Sequence, residues 1–165
     1  MLGVHLRAQL FLIFALVGMT LDATLLQSQQ LTIQTETGKQ VTLTQADIES
    51  LPRIKITIHG PNSDTFEGVA LKALLEKSGV ELGHSLRGKR LASCLLVGAA
   101  DGYRVVIALP ELDPDFTDKR IVLAFSQNGK PLDAKEGPYR IVIPDEKRMA
   151  RWVKQVTTLK IVDVQ

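Results

Sequence analysis

Hydrophobic and polar positions alternate clearly in one segment of the chain, a pattern typical of a half-buried strand. At residues 53–59, three isoleucines fall on one face and polar residues on the other. The stretches 31–35 and 40–43 flank a turn that contains Gly38, which predicts a hairpin. Further strands are predicted at residues 92–99, 103–109, 120–125 and 140–143 and around residues 159–164.

Helical spacing is confined to two short stretches. Leucines follow this spacing within residues 70–78, and Gly79 supplies a stop at the C-terminal end. A shorter helix over residues 45–50 begins at Thr44, a good N-cap, and ends before Pro52. A few short helices among many strands, with no internal repeat, predict a single compact α+β domain.

The N-terminal residues have the pattern of an export signal. An apolar run from Leu10 to Leu21 follows a weakly basic start. The run is shorter than the roughly 20 residues that span a bilayer, as expected for a signal peptide. We therefore expect residues 1–23 to be a signal peptide, or alternatively an uncleaved anchor. Residues 31–165 are expected to form one domain in a periplasmic or secreted protein.

Charge and cysteine content narrow the function further. The 165-residue chain has a formal charge of +2, which does not favour nucleic-acid binding. Cys94 is the only cysteine, so an intramolecular disulfide is excluded. It lies in an apolar run at residues 91–97, where we expect a buried thiol rather than a reactive one. The chain contains no nucleophile elbow, no zinc-protease motif and no phosphate-binding loop of the Gly-rich type.

Several short segments between Phe66 and the C-terminus occur in a recognisable order. They are FEGVAL at 66–71, ADGY at 100–103, LAF at 123–125, NGKPL at 128–132, GPYRIVIP at 137–144 and RWVK at 151–154. None is diagnostic alone, since Asn-Gly marks an ordinary turn. As an ordered set, they resemble the molybdopterin-binding domain of sulfite oxidases and their bacterial relatives. The resemblance implies a single compact domain with a mixed β-sheet and few helices, which holds a pterin and its phosphate at one end of the sheet.

The sequence departs from that family at the metal ligand. Family enzymes hold molybdenum through a cysteine thiolate after an early strand, in the region that corresponds to residues 54–61, where this chain has none. His59 lies in that region, but a lone histidine is a poor metal site, so we expect it to form hydrogen bonds. Cys94 falls in a later strand. No metal site is therefore predicted.

The resemblance also assigns candidate ligand contacts. Arg140 matches a family position near the cofactor, where a guanidinium suits a phosphate or a pterin carbonyl. Lys154 matches another contact position, and Asp101 lies in a turn that resembles a substrate-site turn. The alternatives are a surface ion pair for Arg140, a solvated lysine for Lys154 and an ordinary Asp-Gly hairpin turn for Asp101.

Aromatic residues supply the remaining candidates. Trp152 lies in a basic loop with Arg151, where an indole could stack on a flat heterocycle; the alternative is a tryptophan packed in the core. Tyr103 and Tyr139 could add ring contacts, although aromatic residues are also common on strands for packing reasons alone.

Two functions from different classes follow from the resemblance. The first is an exported, non-catalytic protein that binds a pterin as a ligand sensor and takes part in signalling to a membrane partner, such as a cyclic-di-GMP enzyme with a periplasmic domain. The second is a molybdopterin-dependent oxidoreductase or its subunit. A scaffold without any ligand is a third interpretation. The missing thiolate favours the first, with a pterin rather than molybdopterin as the ligand.

Overall fold

The computed structural model describes residues 30–60 and 63–163 of the chain. The predicted signal peptide at residues 1–23 lies outside the described residues. Within them, no helix is long and apolar enough to cross a membrane. The strands are β1 (Leu31–Gln34), β2 (Gln40–Leu43), β3 (Arg53–Ile58), β4 (Asp64–Ala70), β5 (Cys94–Ala99), β6 (Arg104–Ala108), β7 (Val122–Gln127), β8 (Lys130–Pro131), β9 (Arg140–Val142) and β10 (Val156–Val162). The α-helices are α1 (Gln45–Glu49) and α2 (Leu71–Lys77), and four 3₁₀ turns cover Gly83–Ser85, Gly88–Ala92, Leu109–Leu112 and Met149–Arg151.

The strands form two sheets. The first has the order β2-β1-β10-β5-β6, in which β1 and β10 are parallel and the other neighbours are antiparallel. The second is antiparallel, with the order β3-β4-β7-β8, and β9 also pairs with β7. The predicted α+β domain with a mixed sheet and few helices is confirmed.

One hydrophobic core holds the two sheets and the helices together. Leu31 and Ile33 of β1 and Leu95 and Val97 of β5 are fully buried, and partly exposed residues separate the two buried ones on each strand. Leucines of α2 and residues of β7 belong to the same buried cluster. Each fully buried aliphatic side chain contributes about 1.5–3 kcal/mol by leaving water, so this core is the main source of stability.

The sequence pattern predicts no strand immediately before α2, yet β4 occupies Asp64–Ala70. Gly68 explains the difference. A Cβ at this position would lie 2.1 Å from the backbone oxygen of Leu123 on β7, so only glycine permits the two strands to approach this closely. The register between β4 and β7 shifts next to it, between Glu67 and Gly68. A glycine next to a bulge interrupts the strand pattern in the sequence but not the strand.

Candidate functional site

Four of the eight predicted site residues line one cleft. They are Asp101, Tyr103, Trp152 and Lys154. The cleft has a volume of about 320 Å³, and we name it the Trp152 cleft. Its other lining residues are Ala99, Lys135, Met149, Ala150, Val153 and Gln155.

The walls of the Trp152 cleft are tied together by hydrogen bonds. The turn between β5 and β6 contains Asp101, whose Oδ1 accepts a hydrogen bond from the Tyr103 backbone N–H at 2.8 Å. The Tyr103 hydroxyl donates to the Ala150 carbonyl at 2.8 Å, which joins this turn to the 3₁₀ turn before Trp152. The Ala100 N–H donates to the Gln155 carbonyl at 3.0 Å. The hairpin and the segment from Met149 onward therefore hold the cleft in a defined shape.

Arg140 contacts the lining residue Trp152 and lies in an aromatic and acidic environment. It is only 8% exposed, and its guanidinium carbon lies 5.3 Å from the ring centre of Phe66 and 5.4 Å from that of Trp152. The two rings meet edge to face, with centres 5.9 Å apart. Arg140 Nη1 also donates to Glu136 Oε2. Arg140 therefore forms a buried ion pair and two cation–π contacts rather than a surface ion pair.

Lys154 and Arg140 share the same carboxylate. Lys154 Nζ donates to Glu136 Oε1, the second oxygen of that side chain. The Lys154 side chain remains half exposed, whereas Glu136 and Arg140 are mostly buried. The half-exposed lysine is thus the member of this trio that lines the Trp152 cleft.

Trp152 carries an unsatisfied polar group into this region. The side chain is 5% exposed, and its Nε1 is buried without a hydrogen-bond partner among the described residues. A buried donor that has lost water and gained no acceptor costs about 1–3 kcal/mol. An acceptor atom supplied by a ligand would remove that cost. Trp152 is packed in the core, as one of the two interpretations expects, and it also lines the cleft, while stacking on a heterocycle stays a prediction.

The other predicted residues lie outside the lining of the Trp152 cleft. Arg151 donates to both oxygens of Glu111 at 3.1 and 3.2 Å and, through Nε, to Glu146 at 2.8 Å. The hydrogen bonds to Glu111 raise the pKa of Arg151, so it is a charged structural link. Tyr139 is fully buried, and this burial raises its pKa to about 12. His59 is exposed directly after β3.

Two residues near the site were missed in the sequence. Phe66 forms one side of the Arg140 environment, and Glu136 neutralises Arg140 and Lys154. No strand is predicted around Phe66, because Gly68 interrupts the strand pattern in the sequence. Glu136 lies in a loop, where no periodicity marks it. Its position four residues before Arg140 was an available signal, although this spacing is informative mainly in helices.

A comparison with protein families identifies the domain. The family model described as the oxidoreductase molybdopterin binding domain matches residues 62–165. The chain belongs to this family. The resemblance to sulfite oxidase-type domains is therefore confirmed, and the protein is a domain of the molybdopterin-binding oxidoreductase type.

A solved structure supports the same fold. The sulfane dehydrogenase SoxCD from Paracoccus pantotrophus superimposes with a TM-score of 0.63 at 23% sequence identity. The match covers 82% of this chain but 38% of the SoxCD chain. Among curated proteins, none matches this sequence.

The residues of this oxidoreductase-type domain do not fit a molybdenum centre held by a protein thiolate. Cys94 lies on β5 and does not line the Trp152 cleft. It is half-buried rather than fully buried; this burial raises the pKa of its thiol, and Asp163 raises it further. Since the thiolate is the form that binds metal, this environment is unsuited to a ligand. In the described residues, no three His, Cys, Asp or Glu side chains are grouped to hold a metal.

The polar groups at the Trp152 cleft include both hydrogen-bond acceptors and donors. The Trp152 N–H needs an acceptor, Asp101 is a carboxylate acceptor, and Lys154 is a donor.

Proposed function

We propose that this domain binds a pterin in the Trp152 cleft and does so without holding molybdenum through a thiolate of its own. The observation that carries the proposal is a cleft that presents the Asp101 carboxylate and the Lys154 ammonium group beside Trp152, whose buried N–H has no partner among the described residues. The volume of about 320 Å³ lies at the lower end of ligand pockets, which hold about 300–1,000 Å³. That size suits one bicyclic ring with a short substituent.

Each polar group at the cleft is assigned to a complementary polar group of the pterin. The Asp101 carboxylate accepts hydrogen bonds from the amino group and a ring N–H. Lys154 and the Trp152 N–H donate to the carbonyl oxygen and a ring nitrogen. Tyr103 is half exposed at the rim, where its ring provides an apolar contact. Each polar position of the heterocycle thereby gains a partner.

We further propose that a partner protein distinguishes the ligand-bound Trp152 cleft from the empty one. Met149 and Tyr103 are 57% and 48% exposed and both line the Trp152 cleft. A ligand that contacts these side chains changes a surface that is accessible to another protein. The expected export of the chain would place this surface in the periplasm, facing a membrane-bound partner such as a cyclic-di-GMP enzyme.

The pterin proposal is tested by titrating the purified protein with neopterin. Trp152 is the only tryptophan, so its emission reports on the cleft. We expect quenching and a higher melting temperature, and we expect calorimetry to give the same affinity. Asp101→Asn should weaken binding by about tenfold or more, because it replaces a charged acceptor of two hydrogen bonds.

Asp118→Asn is a matched control, since Asp118 is exposed and lines a different cleft. It should bind neopterin like the unsubstituted protein. Absence of both quenching and thermal stabilisation at saturating neopterin would refute pterin binding.

The family description favours a second candidate, a molybdopterin-dependent oxidoreductase or a subunit that completes such a site with a partner's ligand. Elemental analysis of the protein isolated from its native compartment separates the two candidates. We expect molybdenum well below one atom per chain. A stoichiometric amount that is lost in Cys94→Ser would establish Cys94 as a ligand and overturn our preference.

A further inference from the structure

Glu136 holds a central position behind the Trp152 cleft. It does not line the cleft, but its two carboxylate oxygens bind Arg140 and Lys154 separately. The Glu136 backbone is fixed on both sides: its N–H donates to Asp133 Oδ1 at 3.0 Å, and its carbonyl accepts from the Gln155 N–H at 2.9 Å. The carboxylate is therefore held at these cations by a defined loop.

The charges around the cleft are nearly balanced as a result. Glu136 neutralises part of the charge of Arg140 and Lys154, and Glu111 and Glu146 do the same for Arg151. Lys135 is the one lysine of the cleft lining without an ion pair among the described residues. Asp101 adds a further negative charge at the cleft. Strong phosphate sites instead offer several cationic donors that are free to bind the anion.

We propose that Glu136 determines specificity by acting as an internal counter-anion, so that the Trp152 cleft accepts pterins without a phosphate and discriminates against pterins that carry one. This inference rests on the proposed pterin binding. A phosphate that approached Lys154 would compete with the Glu136 carboxylate for the same ammonium group. It would also place two anionic groups close together, which is unfavourable in a partly buried site. Rejection by a like charge is a common basis of specificity.

The experiment compares neopterin with neopterin monophosphate by calorimetry at low salt. The unsubstituted protein should bind neopterin at least about tenfold more tightly than its phosphate, because the Glu136 carboxylate already occupies the Lys154 ammonium group that the phosphate would need. Glu136→Gln keeps the shape of the side chain and removes its charge. This variant should bind neopterin with little change and neopterin monophosphate about tenfold more tightly than the unsubstituted protein does.

Glu146→Gln is the matched control. It removes one negative charge from a mostly buried arginine pair, but Glu146 binds Arg151 and lies outside the cleft lining. It should leave the preference between the two ligands unchanged. An equal gain of phosphate affinity in both variants would assign the effect to net charge and refute a specific role for Glu136.

A second variant covers the case in which Glu136→Gln does not fold. The double substitution Glu136→Gln with Arg140→Met removes both members of the buried pair, an exchange that is often tolerated. It still frees Lys154 and should raise affinity for the phosphate form.

Binding of inorganic pyrophosphate tests the role of Glu136 independently of the proposed pterin binding. If pyrophosphate raises the melting temperature of Glu136→Gln more than that of the unsubstituted protein, the role of Glu136 is supported. This holds even if neopterin does not bind. A failure of neopterin to bind would refute only the pterin proposal. Neopterin binding without any discrimination, or without any gain of phosphate affinity in Glu136→Gln, would refute the role of Glu136 alone.

Discussion

The guanidinium of Arg140 lies over the indole ring of Trp152, with 5.4 Å between its central carbon and the ring centre. This contact joins β9 to the segment that precedes β10, and Phe66 of β4 packs against both side chains. A cation in a largely buried position would be costly on its own. Glu136 and the two ring faces compensate for that cost.

Arg140→Lys should destabilise the protein although it keeps the charge. Lysine lacks the planar guanidinium that lies over two rings while it donates to Glu136. We expect the free energy of unfolding to fall by about 1–2 kcal/mol. Guanidinium chloride denaturation followed by tryptophan emission measures the change. Arg148→Lys, at an exposed position in the same region, is the control and should differ little from the parent. Equal stability of the two variants would contradict the stacking argument.

Trp152→Phe should affect binding more than stability. Phenylalanine keeps most of the buried apolar surface and removes an N–H that has no partner in the described part of the chain, so the free energy of unfolding should change by less than about 1.5 kcal/mol. Trp152→Ala should cost about 3–5 kcal/mol, because it leaves a cavity. Thermal melts distinguish these cases, and neopterin affinity by calorimetry should fall in Trp152→Phe. Unchanged affinity would show that the indole N–H does not contact the ligand.

Gly68→Ala should disrupt the pairing of β4 with β7. The new Cβ would lie 2.1 Å from the Leu123 backbone oxygen, which cannot move without shifting the strand. We expect a loss of about 3 kcal/mol in chemical denaturation. Gly98→Ala is the comparison, because its Cβ would meet the Thr158 hydroxyl at 2.4 Å, and a side-chain hydroxyl can rotate away. A greater loss for Gly98→Ala than for Gly68→Ala would contradict this assignment.

Glu111 should contribute to stability in a pH-dependent way. Burial opposes its ionisation, but hydrogen bonds from Arg151 and Lys119 outweigh burial and lower the pKa of Glu111 from 4.5 to about 2. A carboxyl with a depressed pKa stabilises the fold above its unfolded pKa, and that stability is lost as the pH falls through the folded value. Between pH 4.5 and about 2, the difference in unfolding free energy between the parent and Glu111→Gln should therefore shrink.

Urea denaturation at a series of pH values measures that difference. At neutral pH, the unfolding free energies of the parent and Glu111→Gln should differ by on the order of 2 kcal/mol. This is less than the pKa shift alone implies, because solvent screens the partly exposed site. A constant difference across this range would exclude Glu111 as the titrating group.

Local sequence signals predicted most of the fold. Thr44 was expected to cap a helix, and its Oγ1 accepts from the Asp47 N–H while Asp47 Oδ2 accepts from the Thr44 N–H. The Asp101-Gly102 turn was expected to form a hairpin, and it joins the antiparallel pair β5 and β6. Both signals act within a few residues along the chain, so a single sequence contains them in full.

Features that depend on contacts distant in sequence were harder to predict. Glycine is required at position 68 because the Leu123 backbone on another strand lies so close to it. The ion pairs of Glu136 form in a loop whose shape depends on contacts with neighbouring segments. Trp152 was assigned a ligand role or a core role as alternatives, whereas the structure gives it both surroundings. No local pattern specifies such a position, because burial and access are properties of the assembled fold.

The position of β10 in the first sheet has a consequence for how the chain folds. This strand follows every other described strand in sequence, yet it lies between β1 and β5 and pairs with both. Until it is available, the β1–β2 hairpin and the β5–β6 hairpin have no shared neighbour and leave edges that can pair wrongly. The first sheet can therefore be completed only after β10 has been added, and until then the two hairpins keep unpaired edges on the sides that face each other.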